Sequence, residues 1–108
     1  MYKVFRTQEF DRYVVRILSV EEQREVERLQ YGQLAHSPYV GKPLRYPFFR
    51  EKRLGGKRIY YLIYDDLRCV LLVAASTKKH QQYVIDQIHG TFEDFRKIAM
   101  QLCGNDPS

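Results

Sequence analysis

The apolar positions of this chain switch between two periods. Residues 2–6 alternate, with Tyr2 and Val4 on one side, as in a short strand. Phe10, Val14, Ile17 and Leu18 then recur at helical spacing and form a single stripe, with Thr7 placed to cap it. Ser19-Val20-Glu21-Glu22 has the form of a capping box, so a second helix is predicted there. Its inner face would carry Val26, Leu29 and Leu34, and Ser37-Pro38 would close the helical hairpin.

Beyond Pro38 the period falls to two. Pro43 and Pro47 argue against a regular central strand before residue 48. Residues 48–54 and 57–64 read as antiparallel strands joined at Gly55-Gly56, a two-residue turn that tolerates positive φ at both positions. On the second strand Arg58, Tyr60, Leu62 and Tyr64 share one face, and Ile59, Tyr61 and Ile63 the other. After a turn at Asp65-Asp66, residues 68–75 are apolar on both faces, which predicts a strand covered on both sides. A helix over 78–89, capped by Ser76 or Thr77 and stopped by Gly90, precedes a last one striped by Phe92, Phe95, Ile98, Ala99 and Leu102. The predicted order is β-α-α-β-β-β-α-α: an α+β fold with a small, mainly antiparallel sheet, an N-terminal helical hairpin and C-terminal helices. A single domain over 1–104 and a disordered tail at 105–108 are expected.

Charge adds a location. Residues 40–60 hold seven bases (Lys42, Arg45, Arg50, Lys52, Arg53, Lys57, Arg58) against one acid, Glu51, while the whole chain of 108 residues carries only +5. Such a concentration suits a polyanionic partner. No apolar run approaches the roughly 18 residues of a membrane helix, and the first ten residues lack a signal-peptide pattern. A cytoplasmic protein with no membrane partner is expected. Cys69 and Cys103 lie in no motif, and His36, His80 and His89 lack metal-ligand spacing. Inert thiols, no metal and no cofactor are expected.

Gly41-Lys42-Pro43-Leu44 after a helical hairpin, Gly56-Lys57-Arg58-Ile59-Tyr60-Tyr61 opening a strand, and an apolar strand running into Ser76-Thr77-Lys78-Lys79-His80 resemble the RelE/ParE superfamily of toxins, RelE branch, over roughly residues 1–89. The resemblance implies a type II toxin–antitoxin toxin that is held by a cognate acidic antitoxin. In the RelE branch it implies a metal-free mRNA interferase, an endoribonuclease acting on ribosome-bound mRNA. In the ParE branch it implies an inhibitor of DNA gyrase. A member that binds RNA or antitoxin without cutting is a third possibility. The last helix lies beyond the minimal fold of that family.

Metal-free RNA cleavage needs a proton acceptor for the 2′-hydroxyl, positive charge on the phosphoryl oxygens and a proton donor for the leaving 5′-oxygen. Arg58 matches the family's Gly-x-Arg strand start and its fork suits a phosphate; the plain alternative pairs it with Asp65 or Asp66. Lys52 and Arg53 point to opposite faces, so one register places only one of them beside Arg58. Glu51 reads as an internal counter-ion or a general base. Lys79 stands where RelE-like toxins place a catalytic arginine, a departure that removes the bidentate fork. His80 suits acid–base work, and Tyr83 one turn on suits base stacking or proton transfer. Arg45, Arg50, Lys57 and Lys78 complete an expected RNA-binding surface. Tyr46, Phe48 and Phe49 would either stack on bases or anchor the sheet to helices.

Overall fold

The computed structural model describes residues 1–104; the tail expected at 105–108 lies outside the described residues. The two N-terminal caps form as predicted. Thr7 Oγ1 accepts from Phe10 N at 3.1 Å to start helix α1 (Gln8–Ile17). Ser19 and Glu22 bond reciprocally, at 2.8 and 3.1 Å, to start α2 (Val20–Arg28). The second helix continues through a π-helical turn (Leu29–Gln33) into α3 (Leu34–His36), and a 3₁₀ turn (Pro38–Val40) ends the hairpin.

The sheet contains β1 (Lys3–Arg6), β2 (Lys42–Leu44), β3 (Tyr46–Leu54), β4 (Lys57–Tyr64) and β5 (Cys69–Thr77) in the order β1-β5-β4-β3-β2. β1 runs parallel to β5 and the other pairs are antiparallel. Two helices follow, α4 (Gln81–His89) and α5 (Phe92–Cys103). No helix among the described residues is long and apolar enough to cross a membrane.

Four details depart from the predicted pattern. The short edge strand β2 was not expected, and β3 begins at Tyr46 rather than 48. Pro43 is tolerated because β2 is an edge strand, which needs ladder donors on one side only, and Pro47 because β3 pairs with β4 only from Phe49 onward. At the Gly55-Gly56 turn only Gly55 takes positive φ, +59°. Finally, α4 starts at Gln81, not 78, because β5 keeps pairing through Lys57↔Thr77 and holds Ser76 and Thr77 in the sheet. His80 occupies the cap position without a side-chain cap bond.

Two cores share this sheet. Ile59, Tyr61, Ile63, Val70 and Leu72 pack with Phe10, Val14, Val26 and Leu34 of the N-terminal helices. Phe49, Tyr60, Leu62, Leu71 and Val73 pack with Val84, Ile88, Phe95 and Ala99 of α4 and α5. A bulge in β5 decides which side chains reach the second face. Tyr60 pairs with Ala74 and Tyr61 with Leu72, leaving Val73 as the extra residue. The alternation is reset there, so that Ser76 shares the face of Tyr60, and the two hydroxyls lie 2.7 Å apart.

Tyr46, Phe48 and Phe49 are anchors. Tyr46 stacks on Phe48 at 5.2 Å, and Phe48 and Phe49 meet Phe92 edge-on at 5.3 and 5.6 Å. His89 completes the group, 5.1 Å from Phe92. Cys69 is fully buried and Cys103 partly so; burial and the neighbouring Cys103 thiol push the Cys69 thiol well above its ordinary range.

Candidate functional site

The β3–β4 ladder resolves the facing left open by the sequence. Arg53 pairs directly with Arg58, and Glu51 with Tyr60, so these four share the face covered by α4. Lys52 pairs with Ile59 and lies on the opposite face, that of the helical hairpin. Arg58 is buried and its Nε is 3.5 Å from Glu51 Oε1. That contact is a charge pair without hydrogen-bond geometry, since Arg58 Nε has no hydrogen-bond partner. Glu51 is buried as well, and Gln81 Nε2, in the first turn of α4, donates to its other oxygen at 3.4 Å. Glu51 is thus the counter-ion of Arg58. The carboxylates expected as the alternative partners are engaged elsewhere: Asp65 accepts from Tyr2 and Tyr39, both at 2.5 Å, and Asp66 is held bidentately by Arg96.

Across the β4–β5 ladder Arg58 pairs with Ser76. The chain leaves β5 one residue later, so exposed Lys78, Lys79 and His80 emerge at the end of the sheet that carries Arg53 and Arg58. None of Arg53, Lys78 and Lys79 forms an ion pair among the described residues. Lys79 precedes α4, so it does not share a helical face with Tyr83 in the way the predicted helix implied. Tyr83 is 66% exposed and is not a core residue.

The remaining basic residues lie apart from this cluster. Lys57 Nζ donates to the Ile17 carbonyl at 2.7 Å and pairs with Glu22 at 3.3 Å, tying the β-hairpin to the α1–α2 junction. Arg50 donates to the carbonyls of Pro47, Tyr39 and Gly41 and lies over the Tyr39 ring, bracing the loop before β2. Arg45, with left-handed backbone at φ +72°, lines a separate groove with Asp86 and His89. The family landmark Gly41 has a steric cause: a Cβ there would lie 2.5 Å from Tyr61 Oη and 2.6 Å from the Glu51 carbonyl oxygen. Tyr61 in turn accepts from Gly41 N at 3.0 Å and donates to the Pro38 carbonyl at 2.7 Å.

Sequence reasoning missed Gln81 and the pair Tyr60–Ser76. Gln81 had no signal, because its role depends on where α4 begins. Ser76 was legible only as a helix cap until the β5 bulge turned it toward Tyr60. Among the described residues, no three His, Cys, Asp or Glu side chains gather as a metal cluster would require.

No protein-family model and no curated protein matches the chain. Solved structures do. A chain of the RelBE2 toxin–antitoxin complex from Mycobacterium tuberculosis is 26% identical, covering 71% of this chain and 98% of its own length, with a TM-score of 0.62. A chain of the intact Escherichia coli RelBE complex is 16% identical over 71% of this chain and 96% of its own, with a TM-score of 0.60. The isolated E. coli RelE toxin is 15% identical over 82% of this chain and 99% of its own, also at 0.60. The last two show the fold alone. Together with the Gly41 close approach, the Arg58 strand start and the basic junction after β5, this similarity identifies the chain as a RelE-like toxin of the toxin–antitoxin class.

Proposed function

We propose that this RelE-like chain cleaves mRNA on the ribosome and is restrained by an acidic antitoxin. The observation that carries this reading is the Arg53–Arg58 pair. Two arginines directly opposed on one sheet face repel one another; Glu51 balances only the charge of Arg58, and Arg53 forms no ion pair among the described residues. A phosphate placed over them would offset that repulsion. Lys78 and Lys79 add exposed cationic charge at the same end of the sheet.

In the proposed reaction a 2′-hydroxyl loses its proton and attacks the adjacent phosphorus. The P–O5′ bond breaks, the 5′-oxygen takes up a proton, and a 2′,3′-cyclic phosphate remains. In this reading Arg53 and Arg58 stabilise charge on the phosphoryl oxygens, while His80 and Tyr83 move the protons. Lys52, on the far face, and Lys57 and Arg50, each bonded within the fold, support charge and structure rather than the reaction. The wider basic surface steers the protein toward rRNA.

A second reading has one observation in its favour. Arg58 is held against Glu51 instead of standing free, which suits a chain that binds RNA and antitoxin without cutting. Induced expression followed by primer extension on cellular mRNA separates the two. Codon-positioned cuts support cleavage; growth arrest without cuts supports the binder; DNA breaks without mRNA cuts would point to gyrase instead.

A further inference from the structure

Arg58 Nε and Gln30 Oε1 are the buried side-chain polar atoms without a hydrogen-bond partner among the described residues. An orphaned buried donor needs a physical cause, and a ligand that takes it up later is one. Gln30 is held at β1, where its Nε2 donates to the Val4 carbonyl at 3.1 Å. Arg58 instead stands directly across the ladder from Arg53, which is exposed and forms no ion pair among the described residues.

The carboxylate of Glu51 has two nitrogen neighbours, one per oxygen. Arg58 Nε lies 3.5 Å from Oε1, and Gln81 Nε2 donates to Oε2 at 3.4 Å. Both contacts are long against the roughly 2.9 Å of a well-made bond, so neither neighbour is fixed in place. Glu51 is buried, and a buried carboxylate is costly without a partner. Arg58 can therefore leave it only while another donor stays. Gln81 is that donor. It is half-buried in the first turn of α4, directly after exposed Lys79 and His80. Being neutral, it satisfies the carboxylate without bringing a charge that a phosphate would draw away.

Resting on the RNA-cleavage reading, we infer that Gln81 is a positioning residue, which holds Glu51 while Arg58 exchanges that carboxylate for the scissile phosphate. The phosphate lands first on exposed Arg53. The Arg58 guanidinium then turns from Glu51 to the phosphoryl oxygens, and its Nε gains the bond it lacks in the free protein. Glu51 stays bonded to Gln81 throughout. No covalent bond changes in this step. The Glu51 contact is the resting position of Arg58, from which substrate draws it.

The test uses the full chain and a 2′-O-methyl RNA hexamer, which cannot be cleaved. The variants are Gln81→Met, which keeps the length and removes the donor, Glu51→Gln, and the two combined. With isotope-labelled arginine, saturating hexamer is expected to shift the Arg58 Nε–H resonance of the wild type. Gln81→Met should bind the hexamer about tenfold more weakly, the scale of one hydrogen bond to a charged group. Its salt slope should fall by about 0.7, as one lost phosphate contact on a single strand implies. In the Glu51→Gln background, where no carboxylate charge remains to hold, Gln81→Met should change neither quantity. A purely structural glutamine would move the melting temperature and leave the salt slope alone. An unmoved Arg58 resonance, wild-type affinity and slope in Gln81→Met, or an equal loss in the Glu51→Gln background overturns the exchange. The first two readouts stand even if Glu51→Gln fails to fold. Because the RNA is uncleavable, the exchange and the cleavage reading fail separately, the latter in its own ribosome-dependent assay.

Discussion

Glu51 and Arg58 are paired inside the sheet, their side chains 4% and 8% exposed, with carboxylate oxygen and Nε 3.5 Å apart. Breaking such a pair leaves an uncompensated buried charge. Glu51→Ala and Arg58→Ala are each expected to cost about 3–5 kcal/mol, whereas Glu51→Leu combined with Arg58→Leu should cost less than either alone. Urea denaturation of the three variants checks this. Arg58→Ala is consequently a poor probe of chemistry, and Arg58→Lys is the better one, since it keeps the charge and removes the fork.

Gly41 is predicted to reject any side chain. Gly41→Ala would drive its Cβ against Tyr61 Oη and the Glu51 carbonyl, with a loss of about 1–3 kcal/mol as expected of overpacking. Because Tyr61 bonds both Gly41 and Pro38, the loop before β2 should loosen first. Amide exchange of the Gly41 N–H reports it. Gly32, with open space around its virtual Cβ, serves as the control and should tolerate alanine.

These residues show what was legible in the sequence. Thr7, Ser19 and Glu22 announced their helices because caps are local chemistry. The facing of Arg58 with Tyr60 followed from strand alternation alone. The facing of Lys52 against Arg53 needed the β3–β4 register, and the bulge at Val73 that turns Ser76 to the site cannot be read from an unbroken apolar run. The ladder also selects the partner of Arg58: Glu51 and Asp65 are equally distant from it along the chain, but Glu51, read from the sequence as an internal counter-ion, lies beside it across the β3–β4 pair, while Asp65 and Asp66 are bonded elsewhere.

Acid should loosen the tie between β1, the loop before β2, and the turn after β4. Hydrogen bonds from Tyr2 and then Tyr39 hold the Asp65 carboxyl below its ordinary value. A depressed folded value means that this stabilisation is present above the unfolded value, near 3.8, and is lost as pH falls through the folded one. Asp65→Asn should therefore lower stability at neutral pH and flatten its decline below about pH 4. Urea midpoints of wild type and variant at pH 3 and pH 7 measure the difference. An identical decline in both proteins would remove Asp65 from the account.

The last helix is part of the core. Phe95 and Ala99 are buried against the sheet face opposite the helical hairpin, and Arg96 grips Asp66. Phe95→Ala is expected to cost about 3–5 kcal/mol. Deleting residues 91–108 would uncover the second core and should give insoluble protein rather than a more active enzyme. Soluble, cooperatively folding truncated protein would show that α5 is an accessory instead.

The central claim is tested by purified protein with ribosomes carrying a defined mRNA in the A site, read by primer extension. The account predicts one dominant cut that requires ribosomes, ends in a 2′,3′-cyclic phosphate, and falls by at least about a hundredfold in a folded Arg58→Lys or His80→Ala variant, on the scale of losing a phosphate-stabilising or proton-transfer group. Intact mRNA with the wild type, or undiminished cutting by both variants, would contradict it.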